Sequence, residues 1–267
     1  MARLPAVADR FYPGSPADLS REVKKLIGAP QADRQKALAI VSPHAGYIYS
    51  GAVAAETIRQ VLVPETVIIL GPNHHGQGAG IALSTSTWEM PMGQVPIDMA
   101  LAERILTKSP LVKKDELAHR FEHSLEVQIP FLQEMQDHLA IVPLVIAHIS
   151  YPVCEKIAAA LAESIEESGK DVLILASSDM THYEPRRTAS QKDSLVLDKL
   201  LNLDPAGLYR IVVDEGITMC GFIPATIALL ASMHGGARQA KLVRYTDSGE
   251  ISGDLDQVVG YAGVIIS

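Results

Sequence analysis

The sequence predicts an α/β fold, a single α/β/α sandwich whose central sheet is largely parallel or mixed. Short apolar runs alternate along the chain with longer helical patterns, which is typical of strands joined by helical crossovers. The length of 267 residues suits one large α/β domain, and the chain has neither internal repeats nor low-complexity segments. We therefore expect a single domain over residues 1–267.

Five runs rich in valine and isoleucine predict the strands of this sheet. Polar residues do not alternate within them, as expected for strands that are covered on both faces. The runs are residues 37–41, 66–70, 140–146, 172–176 and 258–266.

The segments between these runs carry helical periodicity. Val153, Ile157, Leu161 and Ile165 recur at every fourth position, with charged residues facing elsewhere. Similar patterns predict helices over residues 54–62, 189–203 and 225–233.

Composition excludes several classes of protein. Lys and Arg total 23 against 31 Asp and Glu, so the net charge is −8 and no basic cluster indicates binding to nucleic acid or to an anionic membrane. Two cysteines cannot form a disulfide framework. Residues 1–19 contain no apolar stretch long enough for a signal peptide, and no run approaches the roughly 18 apolar residues of a membrane span. We expect a cytoplasmic protein.

Histidines follow three of the predicted strands directly. His44 follows the first strand, His74 and His75 follow the second, and Asp179 and His182 follow the fourth. Ligands of open α/β sheets bind beyond the carboxyl ends of the strands, so these loops should surround one crevice. Only one of His74 and His75 can face the crevice if the backbone is extended there, because successive side chains alternate. The pattern predicts a metal site or an acid/base site.

Two further segments carry candidate chemistry. Glu122, His123 and Glu126 would lie along one face of a helix, although a solvated helical face would have the same pattern. Cys220 precedes a predicted helix, whose dipole should lower the pKa of its thiol and suit it to be a nucleophile or a metal ligand. Cys154 lies within an apolar pattern and is interpreted as a small buried residue.

The motifs that the chain lacks narrow the chemistry. It contains no dinucleotide-binding Gly-x-Gly-x-x-Gly, no phosphate-binding Gly-x-x-x-x-Gly-Lys-Ser/Thr and no Gly-x-Ser-x-Gly nucleophile turn. His-Glu-x-x-His and Cys-x-x-Cys are absent too. The best remaining candidate is a metal site built from histidine and cysteine side chains of separate loops. Metal ligands of this kind leave coordination positions open for a substrate.

Several short motifs together are characteristic of one family. They are Arg3-Leu4-Pro5-Ala6-Val7-Ala8, Phe11-Tyr12-Pro13, Pro43-His44-Ala45-Gly46-Tyr47, Gly71-Pro72-Asn73-His74-His75, Glu122-His123-Ser124-Leu125-Glu126, Ser177-Ser178-Asp179-Met180-Thr181-His182-Tyr183 and Met219-Cys220-Gly221. Over nearly its whole length the chain resembles the Memo family (mediator of cell motility), which includes protein B of the AmmeMemoRadiSam system. It departs from the family at Asp9, where glycine is common.

The resemblance implies a fold similar to that of class III extradiol dioxygenases. Those enzymes hold non-haem Fe(II) with two histidines and a glutamate, and use a further histidine as acid/base. Matched by motif, His44 and His75 correspond to the histidine ligands and His182 to the acid/base histidine. Cys220 stands where the dioxygenases have the carboxylate. A thiolate is a softer ligand, so the site would differ in its choice of metal and need not activate O₂ on a catechol.

The resemblance also implies roles for neighbouring residues, a cofactor and partners. Fe(II) is the first metal expected, with Cu or Zn as alternatives. In such an enzyme His182 would move protons, and Asp179 would orient a neighbouring residue. Asn73, His74, Tyr47, Glu122, His123 and Glu126 would contact the substrate or support the ligands. Relatives are associated with a radical-SAM protein and an AMMECR-type protein, which are therefore expected pathway partners beside a small-molecule substrate.

Three functional hypotheses follow. The first is a metal-dependent, oxygenase-like oxidoreductase that acts on a small molecule. The second is a non-catalytic adaptor that binds a peptide or protein and has retained an enzyme-like crevice. The third is a metal-free thiol enzyme with Cys220 as nucleophile and a histidine as base.

Overall fold

The computed structural model describes residues 2–29 and 33–267, which form one large mixed sheet with helices on both faces. The strands in this part of the chain are β1 (Ala39–Ser42), β2 (Thr66–Pro72), β3 (Ile81–Leu83), β4 (Trp88–Met90), β5 (Gly93–Val95), β6 (Lys113–Lys114), β7 (Ala140–Ile146), β8 (Val172–Ser177), β9 (His182–Glu184), β10 (Ala240–Asp247) and β11 (Val258–Ile266). The helices are α1 (Pro16–Ile27), α2 (Tyr47–Ile58), α3 (Met99–Lys108), α4 (Ile129–Met135), α5 (Tyr151–Ser168), α6 (Arg186–Leu201), α7 (Pro205–Asp214), α8 (Phe222–His234) and α9 (Gly249–Ser252).

The centre of the sheet is parallel and its flanks are mixed. Strands lie in the order β10-β11-β1-β8-β2-β7-β3-β6, with β9 paired to β11 and a separate β4-β5 hairpin. Adjacent strands from β1 to β7 in this order run parallel. β11 pairs antiparallel with both β1 and β10, whereas β3 pairs antiparallel with β7 and parallel with β6. The predicted α/β sandwich with a largely parallel or mixed sheet is confirmed.

Each face of the sheet buries its own apolar core. In β2, Ile68 and Leu70 point to the core covered by α3, α5, α6, α7 and α8, whereas Val67 and Ile69 point to the core covered by α1, α2 and α4. This division explains the unbroken apolar runs, because both sides of each central strand are covered. Cys154 is fully buried in the first of these cores, as expected.

The predicted elements recur with small shifts in their ends. All five predicted strands form, and the four predicted helices correspond to α2, α5, α6 and α8. None of the helices within residues 2–29 and 33–267 combines the length and apolarity needed to cross a bilayer.

Asp9, where the resemblance leads us to expect glycine, occupies a backbone conformation that favours glycine. Its φ is +62°, in the left-handed region that glycine enters without cost. Aspartate is one of the few other residues that tolerate this region, and here its Oδ1 accepts a hydrogen bond from the Gly14 backbone N–H at 2.8 Å. The departure is therefore accommodated locally.

His119 is the one histidine outside the family motifs that is fully buried within the described residues. Its ring nitrogen Nε2 donates to the Ala82 carbonyl at 3.0 Å, and the ring packs edge-on to Trp88. Burial lowers the pKa of His119 to about 4, although the Ala82 contact and Glu116 oppose the shift. The remaining histidines outside the motifs, His138, His148 and His234, are exposed.

His119 should make the protein sensitive to acid. Because its pKa is lower in the folded than in the unfolded chain, the unfolded chain takes up a proton first as the pH falls below about 6.5. Protonation of His119 in the unfolded chain should therefore lower the free energy of unfolding by up to about 3 kcal/mol as the pH falls from about 6.5 to about 4. Urea unfolding across this window should show a flatter pH dependence for His119→Gln than for wild type, and an unchanged slope for the exposed control His138→Gln. Equal slopes in all three chains would show that His119 does not cause this pH dependence.

Candidate metal centre

The site lies where three neighbouring strands end. β1, β8 and β2 lie side by side in the sheet and end at Ser42, Ser177 and Pro72, so the loops that follow them converge. His44 follows β1, His74 follows β2 and Asp179 follows β8. The strand-end rule thus located the crevice from sequence.

Three histidines meet in this crevice. His44, His74 and His123 each offer a nitrogen atom, and these atoms lie within 4.8 Å of one another. The rings of His74 and His123 are stacked with centroids 4.6 Å apart, and the His44 ring stands edge-on to both. This spacing would allow the three nitrogens to bind one metal ion.

Glu122 orients His74. One carboxylate oxygen accepts the His74 backbone N–H and the other contacts His74 Nδ1, both at 2.8 Å. Burial raises the pKa of Glu122, but the hydrogen bond from His74 and the charges of His74 and His123 outweigh this effect and lower it well below its usual range. The carboxylate is therefore ionised and keeps the proton on His74 Nδ1, which leaves Nε2 free as a ligand.

His44 lies deepest in the cluster and is only 2% exposed. Its Nδ1 contacts the Ser177 hydroxyl at 2.9 Å, and its Nε2 lies 3.2 Å from Cys220 Sγ. Burial, reinforced by His123 and His74, lowers the pKa of His44 well below its usual range. Burial likewise lowers the pKa of His123 to about 4, although Glu122 opposes it. Both rings are neutral at pH 7, the state in which imidazole binds metal.

Cys220 lies beside the three histidines, with its Sγ 3.2 Å from His44 Nε2, but the expected lowering of its thiol pKa is wrong. α8 begins at Phe222, and Cys220 precedes it in a partly buried position beside Asp179, whose backbone N–H donates to the sulfur at 3.3 Å. Burial and the Asp179 carboxylate raise the pKa of Cys220, so they outweigh the helix dipole. The metal-free protein therefore holds a thiol rather than a reactive thiolate, and this weakens the hypothesis of a metal-free nucleophile.

Asp179 and His182 flank the cluster. Asp179 Oδ1 accepts the His44 backbone N–H at 2.7 Å, and burial raises the pKa of this carboxyl to about 6 in spite of that bond and of His182. His182 Nδ1 lies 2.8 Å from the Thr218 carbonyl, which can only accept. His182 Nδ1 therefore carries a proton and donates it to this carbonyl, which leaves Nε2 for another partner.

The structure does not bring His75 into the cluster. Its Nε2 contacts the Phe121 carbonyl at 2.9 Å and the residue is exposed. The motif match assigned the ligand role to His75, whereas the geometry places His74 beside His44. The reason is that Glu122 holds the backbone N–H and the ring of His74 together, and the next side chain then points outwards.

Three other predicted residues have structural partners. The Tyr47 hydroxyl donates to the Val127 carbonyl at 2.8 Å, and Asn73 Nδ2 donates to the Gln77 carbonyl at 2.8 Å. Glu126 faces away from the crevice and binds the N-terminal segment through Arg3 and other donors. The expected helical face shared by Glu122 and Glu126 does not form, because only a 3₁₀ turn precedes α4 and Pro130 lies in the first turn of that helix.

Sequence reasoning missed two buried residues of the site. The Ser177 hydroxyl contacts His44, and the Gln128 side chain connects Ser177 to the end of β1. Ser177 had a weak signal, because it is the polar residue directly after the apolar run of residues 172–176. Gln128 had none, since its partners are far away along the chain.

The fold and site define a class of α/β proteins with a crevice lined by histidines and a cysteine at the ends of parallel strands. A sequence profile described as Memo-like protein matches residues 3–265. The chain belongs to the Memo family, as its motifs predicted.

Relatives support this membership along the whole chain. A MEMO1 family protein of Methanosarcina barkeri is 40% identical over 265 residues, which cover 99% of each chain. One from Aquifex aeolicus is 42% identical over 265 residues and 98% of each chain. The crystal structure of an uncharacterized protein from Escherichia coli K12 superposes with a TM-score of 0.60 over 86% of this chain and 99% of the other. At 18% identity, that likeness shows the shared fold.

Proposed function

We propose that this chain is a metal-dependent, oxygenase-like enzyme that acts on a small molecule in the histidine crevice. The observation that carries the proposal is the orientation of His44 and His74. Each ring uses Nδ1 for a buried partner and has Nε2 left for a ligand bond. Metal-binding histidines are commonly held in this way.

The donor set fits a transition metal. Imidazole nitrogens and a cysteine sulfur suit Fe(II), Cu or Zn, whereas Mg²⁺ and Ca²⁺ prefer oxygen ligands. His44, His74 and Cys220 would hold the ion, and His123 offers a further nitrogen. Fe(II) is the first ion to test because the resemblance to extradiol dioxygenases implies it.

The residues beside the ligands could handle protons. A bound ion would supply Lewis acidity or a one-electron couple, and an oxygenase reaction would take O₂ as co-substrate. His182 Nε2 could accept a proton from a bound molecule, since Nδ1 is held by Thr218. The raised pKa of Asp179, about 6, would let this carboxyl exchange a proton near neutral pH. We include in this proposal that the protein acts in the cytoplasm. A radical-SAM protein and an AMMECR-type protein would be its pathway partners.

The metal content of single variants tests the proposal. His74 and His75 are neighbours in the chain, so His75→Ala is the matched control for His74→Ala. The wild-type chain reconstituted anaerobically with Fe(II), and in parallel with Zn(II) and Cu(I), should retain about one ion. His44→Ala and His74→Ala should retain almost none, because each loses a nitrogen donor. His75→Ala should match wild type, because His75 lies outside the cluster.

Alkylation of Cys220 gives an independent readout of the same site. The metal-free thiol should react only slowly because its pKa is raised, so alkylation by iodoacetamide is followed over a long exposure at alkaline pH. Bound metal should slow the reaction further in wild type and in His75→Ala, but not in His44→Ala. Equal metal content in wild type and His44→Ala would overturn the proposal. A requirement for His75 instead of His74 would restore the assignment by motif. Partner binding that persists without metal, in a chain that has no affinity for any of these ions, would favour the adaptor.

A further inference from the structure

A buried hydrogen-bonded chain lies beneath His44, and we call Ser42, Gln128 and Ser177 the serine–glutamine network. All three side chains are fully buried. Ser42 Oγ donates to Gln128 Oε1 at 2.9 Å, and Gln128 Nε2 donates to Ser177 Oγ at 2.8 Å. Ser177 Oγ donates in turn to the Ser124 carbonyl at 2.6 Å.

Two backbone carbonyls fix the direction of every bond in this network. Gln128 Nε2 lies 2.8 Å from the Pro43 carbonyl, so this end of the amide must be the NH₂ group. The Ser124 carbonyl can only accept, so the single proton of Ser177 Oγ points to it. Ser177 therefore has no proton left for any other partner.

The orientation of Ser177 determines which nitrogen of His44 carries the proton. One lone pair of Ser177 Oγ accepts from Gln128, and the other faces His44 Nδ1 at 2.9 Å. Two acceptors would repel at this distance, so His44 must donate through Nδ1–H. The lone pair of Nε2 then points towards Cys220 Sγ, 3.2 Å away.

We propose that Ser177 is a positioning residue that holds His44 as its Nδ1–H tautomer and so presents Nε2 to a metal ion. Gln128 and the Ser124 carbonyl fix Ser177 in the accepting orientation. The consequence for metal binding rests on the proposed function, whereas the tautomer is a property of the metal-free chain. Ser177 performs for His44 the task that Glu122 performs for His74, with a neutral hydroxyl in place of a carboxylate.

Long-range proton–nitrogen correlation spectra of the isotope-labelled, metal-free chain report the tautomer directly. Loss of a signal set in His44→Ala identifies His44 among the nine histidines. We expect the Nδ1–H pattern for His44 in wild type at neutral pH. The Nε2–H pattern there would overturn the proposal, and this result does not depend on the folding of any Ser177 variant.

Ser177→Ala supplies the second test, with Ser164→Ala as its control. Ser164 is equally buried but bonds within α5, to the Ala160 carbonyl. Ser177→Ala should mix the His44 tautomers and weaken Zn(II) binding, measured by competition with a chromophoric chelator, by about 10–100-fold. Ser164→Ala should change neither. A wild-type tautomer and wild-type affinity in Ser177→Ala would overturn the proposal.

The two proposals fail in different ways. A wild-type chain that binds no Zn(II), Fe(II) or Cu(I) but shows the Nδ1–H tautomer, lost in Ser177→Ala, would reject the metal-dependent function and leave the role of Ser177 intact. A chain that binds metal but holds His44 as Nε2–H before loading would reject the role of Ser177 alone.

Discussion

Glu126→Ala should lower the free energy of unfolding by about 3–5 kcal/mol. Glu126 is fully buried, and its carboxylate accepts from the Arg3 guanidinium, the Tyr12 hydroxyl and the backbone N–H groups of Ala6 and Val7. The alanine variant leaves the Arg3 charge, only 6% exposed, without its counter-ion. It also leaves two backbone N–H groups unpaired, at an added desolvation cost. Urea unfolding at pH 7 measures the loss.

Two controls separate the buried charge from other effects. Arg3→Met combined with Glu126→Leu removes both charges and should cost less than Glu126→Ala alone, because no ion is left unpaired in the core. Glu167→Ala breaks ion pairs to Lys108 and Arg104 at the surface and should leave the unfolding free energy close to that of wild type. A Glu126→Ala chain as stable as Glu167→Ala would show that the buried Glu126 carboxylate does not stabilise the fold as predicted.

The centre of the sheet could be predicted from sequence, whereas its edges could not. β2, β7 and β8 are covered on both faces, so nearly every residue in them is apolar and the runs stand out. β10 was missed because it is the edge strand of the sheet and stays partly exposed. Lys241, Arg244 and Thr246 therefore interrupt its apolar residues.

The candidate site could likewise be predicted only in part, because some of it depends on local order along the chain and the rest on tertiary contacts. The strand-end rule placed His44, Asp179 and the His74–His75 pair at one edge of the sheet, because that depends only on local order along the chain. The choice within the pair depends on Glu122, which binds His74 from 48 positions away. The opposite orientations of Glu122 and Glu126 likewise depend on tertiary partners, which no local spacing reveals.

Gly221→Ala should damage both stability and metal binding, because Gly221 allows the Cys220 loop to lie against the end of β8. A Cβ atom there would lie 2.3 Å from the Ser177 carbonyl oxygen and 2.5 Å from Ser178 Cβ. Neither neighbour can move freely, since one is backbone and the other is the stem of a buried side chain. The Gly221 N–H also donates to Ser178 Oγ at 2.9 Å. We expect a loss of about 1–3 kcal/mol in unfolding free energy.

The displaced loop should also carry Cys220 Sγ away from His44 Nε2, now 3.2 Å away. Zn(II) affinity of the folded variant should fall by at least about tenfold, as expected when a ligand loses its position. Gly235→Ala is the matched control, because its nearest new contact would be 3.4 Å and its φ of −74° suits any residue. That variant should keep the affinity and the stability of wild type. A Gly221→Ala chain that is destabilised yet binds Zn(II) as tightly as Gly235→Ala would show that Cys220 does not need this position to serve the site.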